Sequence, residues 1–125
     1  HLKKIGSISI DRKKISRDNL GFYDKIISIT TNTKRPVLIF PQATRAPIEE
    51  RLPFKKGVSK IYEKLNFFCL PVALNSGYVW PKTGKLSSHK TITISILKKI
   101  PVGLNSKDFH NKLENELYNE LEKIY

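Results

Sequence analysis

Apolar and small polar side chains alternate along Ile5-Gly6-Ser7-Ile8-Ser9-Ile10, which predicts a strand over residues 5 to 10 with one buried face and Asp11-Arg12 at its C-terminal end. From Arg17 to about Thr31 the spacing turns helical, with Leu20, Tyr23, Ile26 and Ile27 recurring, Asp18 or Asn19 placed to cap the start, and Gly21 as a weak point. Pro36-Val37-Leu38-Ile39-Phe40 is a continuous apolar run, the pattern of a strand covered on both faces of a sheet. Residues 41 to 57 then hold Pro41, Pro47, Pro53 and Gly57 among polar side chains and read as a loop of a length that more often serves function than mere connection. Val58, Ile61, Tyr62 and Leu65 mark a helix.

A second apolar run spans Phe68 to Leu74, where Pro71 implies an edge, a bulge or a strand end, because proline cannot donate to a ladder. Asn75 to Ser88 reads as loop. Thr91 to Leu97 alternates cleanly, with Ile92, Ile94 and Ile96 on one face of a strand. From Ser106, the residues Phe109, Leu113, Leu117 and Leu121 repeat every four positions with acidic residues between them, a helix with one apolar side. Strands alternating with helices imply an α/β layer architecture with parallel connections: a mostly parallel mixed sheet flanked by helices. With 125 residues, the chain is one domain or part of one.

The charge is lopsided: Lys plus Arg is 23 against 11 Asp plus Glu, a net of +12 that points to an anionic partner. Residues 107 to 125 carry three cations and five anions, so the surplus sits in the first 106 residues and the tail is not a basic arm. Lys, Ile and Asn together fill 41 positions, the composition expected of an AT-rich coding bias, which adds lysine whether or not a site needs it. One cysteine, Cys69, excludes a disulfide framework and a multi-cysteine zinc site and fits a reducing compartment. No apolar run approaches the roughly 20 residues that cross a bilayer. The chain starts at His1 and contains no Met, which we read as the mark of a fragment.

Ligands of open α/β sheets bind outside the carboxyl ends of the strands. Arg12 follows the first expected strand, and Gln42, Thr44 and Arg45 follow the Pro36–Phe40 strand. Two guanidinium groups delivered there match the oxygen spacing of one phosphate. Lys55 and Lys56 precede a helix N-terminus, whose free N–H groups also favour an anion. The alternative for each of these cations is a solvated surface position, and Asp11 could equally pair with a neighbouring cation.

Four stretches carry a resemblance. Gly6-Ser7-Ile8-Ser9-Ile10-Asp11-Arg12, Phe40-Pro41-Gln42-Ala43-Thr44-Arg45, Phe54-Lys55-Lys56-Gly57 and Leu70-Pro71-Val72-Ala73-Leu74 resemble, in order and spacing, the second to fourth sequence blocks of the glycerolipid acyltransferases of the 1-acylglycerol-3-phosphate type. The resemblance covers residues 5 to 77 and implies that the chain is the C-terminal part of a single acyltransferase domain. It implies acyl transfer from acyl-carrier protein or acyl-coenzyme A to lysophosphatidic acid, in phospholipid biosynthesis, at the cytoplasmic face of the inner membrane in the full-length parent. An anionic membrane surface is then a partner, no nucleic acid is expected, and neither a cofactor nor a metal is implied. Arg12, Arg45 and Lys55 match the positions assigned to the acceptor phosphate, with Thr44 and Gln42 beside them. Pro41, Ala43 and Pro71 shape the pocket.

Two departures stand out. The third block usually reads Phe-Pro-Glu-Gly-Thr-Arg, so Gln42 replaces a carboxylate and Ala43 a glycine. Ala43 requires that the turn avoid positive φ or accept strain. The family's base is a His followed five positions later by Asp, whereas His1, His89 and His110 are followed at that interval by Gly6, Ile94 and Asn115. The catalytic residues are therefore expected upstream of His1, none being supplied by this chain, and His89 and His110 are expected to be exposed polar residues without a suitably spaced acidic partner. Other lysolipid acceptors, such as a lyso-ornithine lipid or lysophosphatidylcholine, fit the same blocks. A basic nucleic-acid-binding module, with Tyr23, Tyr62, Tyr78 and Trp80 as stacking groups, and a membrane-surface or carrier-protein docking fragment are the readings from other classes.

Overall fold

The computed structural model describes residues 18–47 and 49–125, with residues 18–20 described through their backbone. The expected strand over residues 5 to 10, with Asp11 and Arg12 at its end, lies outside them. The chain divides into two compact units, with the division between Leu38 and Ile39.

The first unit contains helix α1, Asp18–Thr33, where the helical spacing places it. Gly21 is accommodated within it, and Ile26 is its buried position. The helix ends at Lys34, whose φ of 54° is left-handed and whose N–H donates to Thr30 O at 3.0 Å, the geometry that usually recruits glycine to stop a helix.

The second unit is built from α2 (Gly57–Leu65), β1 (Val72–Leu74), the single-turn α3 (Ser76–Val79), β2 (Ile94–Ile96) and α4 (Ser106–Ile124). α4 starts on a reciprocal cap: Asn105 accepts from Asp108 N at 2.8 Å and its amide donates to the Asp108 carboxylate at 3.0 Å. Its stripe of Phe109, Leu113, Leu117 and Tyr118 meets Phe54, Val58 and Tyr62 from the α2 side and Ala73 from β1. The Tyr62 ring lies flat on Phe109, with centroids 3.7 Å apart and planes 2° from parallel. α2 ends at Asn66, also left-handed, whose N–H returns to Tyr62 O at 3.2 Å.

Two sequence expectations need correction. The sheet of the described residues is two-stranded and antiparallel, with Val72 opposite Ile96 and Leu74 opposite Ile94, rather than mostly parallel. A parallel return needs a crossover of a dozen or more residues, usually a helix laid across the sheet. Residues 75–93 contain only the one-turn α3, and the chain simply comes back alongside itself. The coarser expectation, a mixed α/β arrangement of helices and strands, holds.

Pro36–Phe40 is not a strand: no described residue pairs with it, Leu38 is 82% and Phe40 70% exposed, and Ile39 alone packs against the core. On β2, the isoleucine face of Ile94 and Ile96 points outward at 63% and 67% exposure. Ser95 turns inward and donates to Glu120 of α4 at 2.7 Å. α4 covers only one side of the sheet, and the alternation put the polar residue on that side. Pro71 behaves as expected of a strand end, lying between the Cys69–Ile100 bridge and β1, where its carbonyl accepts from Leu97 N at 3.0 Å.

Candidate functional site

The Phe40–Arg45 segment folds as a tight turn. Ala43 N donates to Phe40 O at 3.0 Å, with Pro41 in the second position, where its fixed φ favours turning. Ala43 has a φ of 58°, so the turn accepts the strain that a glycine would avoid. Thr44 and Arg45 follow it, both exposed.

A second tie closes the loop. Lys55 N donates to Pro41 O at 2.8 Å, which brings Lys55, just ahead of α2, beside the turn. The third block and the Phe54–Gly57 stretch thus meet at their backbones, and the Arg45, Lys55 and Lys56 side chains remain solvent-exposed. Lys56 occupies the N-cap of α2 and provides no side-chain cap. Chemically the group offers a guanidinium, two ammonium groups and the Thr44 hydroxyl to an anion, all on one loop closure. Arg12 lies outside the described residues.

Gln42 turns the other way, into the protein. Its Nε2 donates to the Tyr118 hydroxyl at 2.9 Å, and that hydroxyl donates to Leu52 O. Phe54, whose N–H donates to Glu114 Oε2 at 2.9 Å, packs its ring on Tyr118 with centroids 5.3 Å apart. The candidate anion loop is therefore fastened to α4. Tyr118 titrates above its ordinary range, mainly through burial and against the lowering effect of the Gln42 hydrogen bond. A hollow beside Gln42 is lined by Ala46, Glu50, Arg51, Tyr118 and Glu122 among others. Arg51 is paired there with Glu122, and Glu50 adds a further negative charge, so this hollow does not suit a phosphate. Arg45 and Lys55 are not part of its lining.

Other side chains that sequence chemistry would nominate have structural duties. Ser59, His110 and Glu114 form a chain, Ser59 Oγ to His110 Nδ1 at 2.9 Å and His110 Nε2 to Glu114 Oε2 at 3.4 Å, with the order of a nucleophile relay. Ser59 is only 3% exposed, so the chain cross-links α2 to α4 and presents no nucleophile. His110 therefore corrects the expectation of an exposed histidine without an acidic partner: Glu114 lies one turn along the same helix, an interval outside the His-to-Asp spacing of the family block. His89 is exposed as expected. Burial, with Glu116 adding to it, pushes the Cys69 thiol up to about 11, so it is a poor nucleophile at neutral pH.

Two residues went unnoticed in the sequence. Asn75, 2% exposed, accepts from Thr93 N at 2.6 Å and donates to Ile124 O at 2.9 Å, knotting the end of β1 to the approach to β2 and to the last turn of α4. Its signal was a polar residue directly after an apolar run. Tyr118 gave no such signal, because a tyrosine on the apolar side of a helix looks like core. Among the described residues there is no group of His, Cys, Asp or Glu that could hold a metal ion, and no helix is long and apolar enough to cross a membrane.

Comparison with known proteins bears on the same segments. Over 60 residues the chain is 37% identical to a 1-acyl-sn-glycerol-3-phosphate acyltransferase of Pseudomonas aeruginosa, a match covering 48% of this chain and 23% of that protein, so the chain spans about a quarter of the relative's length. No solved structure matches. The sequence profile of the Acyltransferase family fits residues 1–75, which include the turn at 40–45, the Lys55 stretch and β1. On that fit, over more than half of its length, the chain belongs to the Acyltransferase family.

Proposed function

We propose that the chain is part of a 1-acyl-sn-glycerol-3-phosphate acyltransferase and supplies the part of the site that holds the acceptor phosphate. In that reaction the free hydroxyl of lysophosphatidic acid attacks the carbonyl of an acyl thioester, carried by acyl-carrier protein or coenzyme A. The new ester bond forms as the C–S bond breaks, and a base takes the hydroxyl proton. Arg45, Lys55 and Thr44 bind the phosphate, joined by Arg12. Pro41, Ala43 and Pro71 hold the backbone that presents them. The base is a His oriented by an Asp in another part of the polypeptide, and the reaction runs at the cytoplasmic face of the inner membrane.

The observation that carries this reading is the 2.8 Å bond from Lys55 N to Pro41 O, which joins the third block and the Phe54–Gly57 stretch into one exposed cationic loop. A charge-assisted hydrogen bond contributes about 1.5–3 kcal/mol. Arg45→Ala therefore weakens binding of short-chain lysophosphatidate at least roughly tenfold in a calorimetric titration. Monoacylglycerol of the same chain length, which has no phosphate, binds Arg45→Ala as well as it binds the native chain. Equal affinity of both proteins for lysophosphatidate refutes the assignment. Preferential competition by a lyso-ornithine lipid, which also lacks a phosphate, moves the acceptor to another class. The 125-residue chain alone transfers no acyl group.

A further inference from the structure

We infer that Tyr118 is a positioning residue for the Phe40–Arg45 turn, and that an amide stands at position 42 because the Tyr118 hydroxyl has a single proton to give. A phenol offers one hydrogen and accepts through its oxygen lone pairs. Here the hydrogen goes to Leu52 O, and the oxygen accepts from Gln42 Nε2 at 2.9 Å. The three groups form a one-way chain, amide to phenol to carbonyl, joining the turn, the following loop and α4. Every buried polar side-chain atom among the described residues is likewise satisfied.

A carboxylate at position 42, as in the usual family pattern, brings only acceptors. It would compete with Leu52 O for the one phenolic hydrogen and leave one of the two unpaired next to a buried ring. The charged surroundings add to this. Glu114 and Glu122 lie on α4, and Glu50 lies on the loop that lines the hollow. Arg51, whose guanidinium carbon sits 5.6 Å from the centroid of the Tyr118 ring, is already paired with Glu122. Tyr125 completes the titratable lining. Gln42 and Tyr118 are therefore a matched pair, and Tyr118, outside the residues matched by the family profile, places Arg45 without touching a ligand.

Only the description of the turn as phosphate-binding rests on the proposed function, so the test needs no ligand. Gln42→Glu restores the donor when its carboxyl is protonated and loses it when ionised. The protonated form is favoured in the folded state, which raises the folded pKa above the unfolded value of about 4.3. The melting temperature of Gln42→Glu, measured against the native chain at the same pH, should match it near pH 4 and fall behind by about 5 °C or more as pH rises through the folded pKa. Gln42→Met, of similar length and without hydrogen bonds, should show a deficit that does not change with pH.

In a Tyr118→Phe background the pH dependence of the Gln42→Glu difference should shrink to the part contributed by the neighbouring carboxylates, since neither a proton nor an acceptor remains on the ring. Folding of Gln42→Glu at pH 4 and not at pH 7 also supports the pairing. A pH-independent deficit, a deficit that persists unchanged with Phe at 118, or failure to fold at every pH overturns it. Loss of Arg45-dependent lysophosphatidate binding with these melting results intact would instead count against the proposed function alone.

Discussion

Replacing Ala43 with glycine removes a methyl group and should make the protein more stable. The left-handed region costs an L-residue about 1–2 kcal/mol, and Ala43 sits there with a φ of 58°. Glycine releases that strain, while the extra freedom it gives the unfolded chain takes back about 0.4–1 kcal/mol. Ala43 is exposed, so its methyl leaves no cavity to offset the gain. The net is a stabilisation of roughly 0.5–1 kcal/mol, or a rise of about 2–5 °C in melting temperature. Urea unfolding followed by circular dichroism measures the midpoint directly, and an unchanged slope assigns the shift to stability. Asparagine tolerates the same region better than alanine does, so Ala43→Asn should fall between the two. A midpoint lowered by glycine, or asparagine below alanine, would refute the conformational argument.

Two further outcomes follow from buried groups. Asn75→Ala leaves the Thr93 N–H and the Ile124 carbonyl without their partners, and at about 1–3 kcal/mol for each the loss should be roughly 2–6 kcal/mol in the same unfolding assay; a loss under about 0.5 kcal/mol would show that water replaces the amide. Cys69, with its thiol pushed from 9.0 up to about 11, should react with iodoacetamide at pH 8 roughly 100-fold more slowly in the folded protein than in urea. The thiol's neutral form is favoured on folding, so the stability it contributes is present below pH 9.0 and drains away as pH rises toward about 11. Labelling as fast in the folded state as in urea would contradict the burial.

Periodicity served helices better than strands here. The every-fourth-residue stripe of α4 and the spacing of α2 translate directly into faces, since a helix needs only its own backbone for its hydrogen bonds. A strand needs a neighbour. The apolar run at Pro36–Phe40 has no partner among the described residues, and no local property of its side chains could reveal that. The alternation over Thr91–Leu97 says which residues share a face, but which face α4 covers is decided by packing, and it covers Ser95. The alternation of elements implies parallel strands, yet strand direction depends on the short α3.

The site divides along similar lines. Arg45 and Lys55 are legible as cations in a long loop, and one backbone bond between positions 41 and 55 ties Lys55 to the turn that leads into Arg45. The resemblance places Gln42 beside the phosphate-binding positions, with a charge lost, whereas its amide faces α4. That orientation depends on Tyr118, 76 positions further along, and a single sequence does not disclose such a pairing. The Glu114 partner of His110 stands at helical spacing, four positions on, an interval to which the family's own His-to-Asp block does not point.

The dependence of the turn on α4 bears on where this polypeptide can be cut. The family profile ends at residue 75, a natural place for a designer to put a stop codon. A product ending there would retain every signature position and discard Phe109, Leu113, Leu117 and Tyr118, the side chains on which Phe54, Val58 and Tyr62 rest. The stretch that identifies the family is thus shorter than the stretch that folds, and shortened variants should keep α4 rather than stop at the motif.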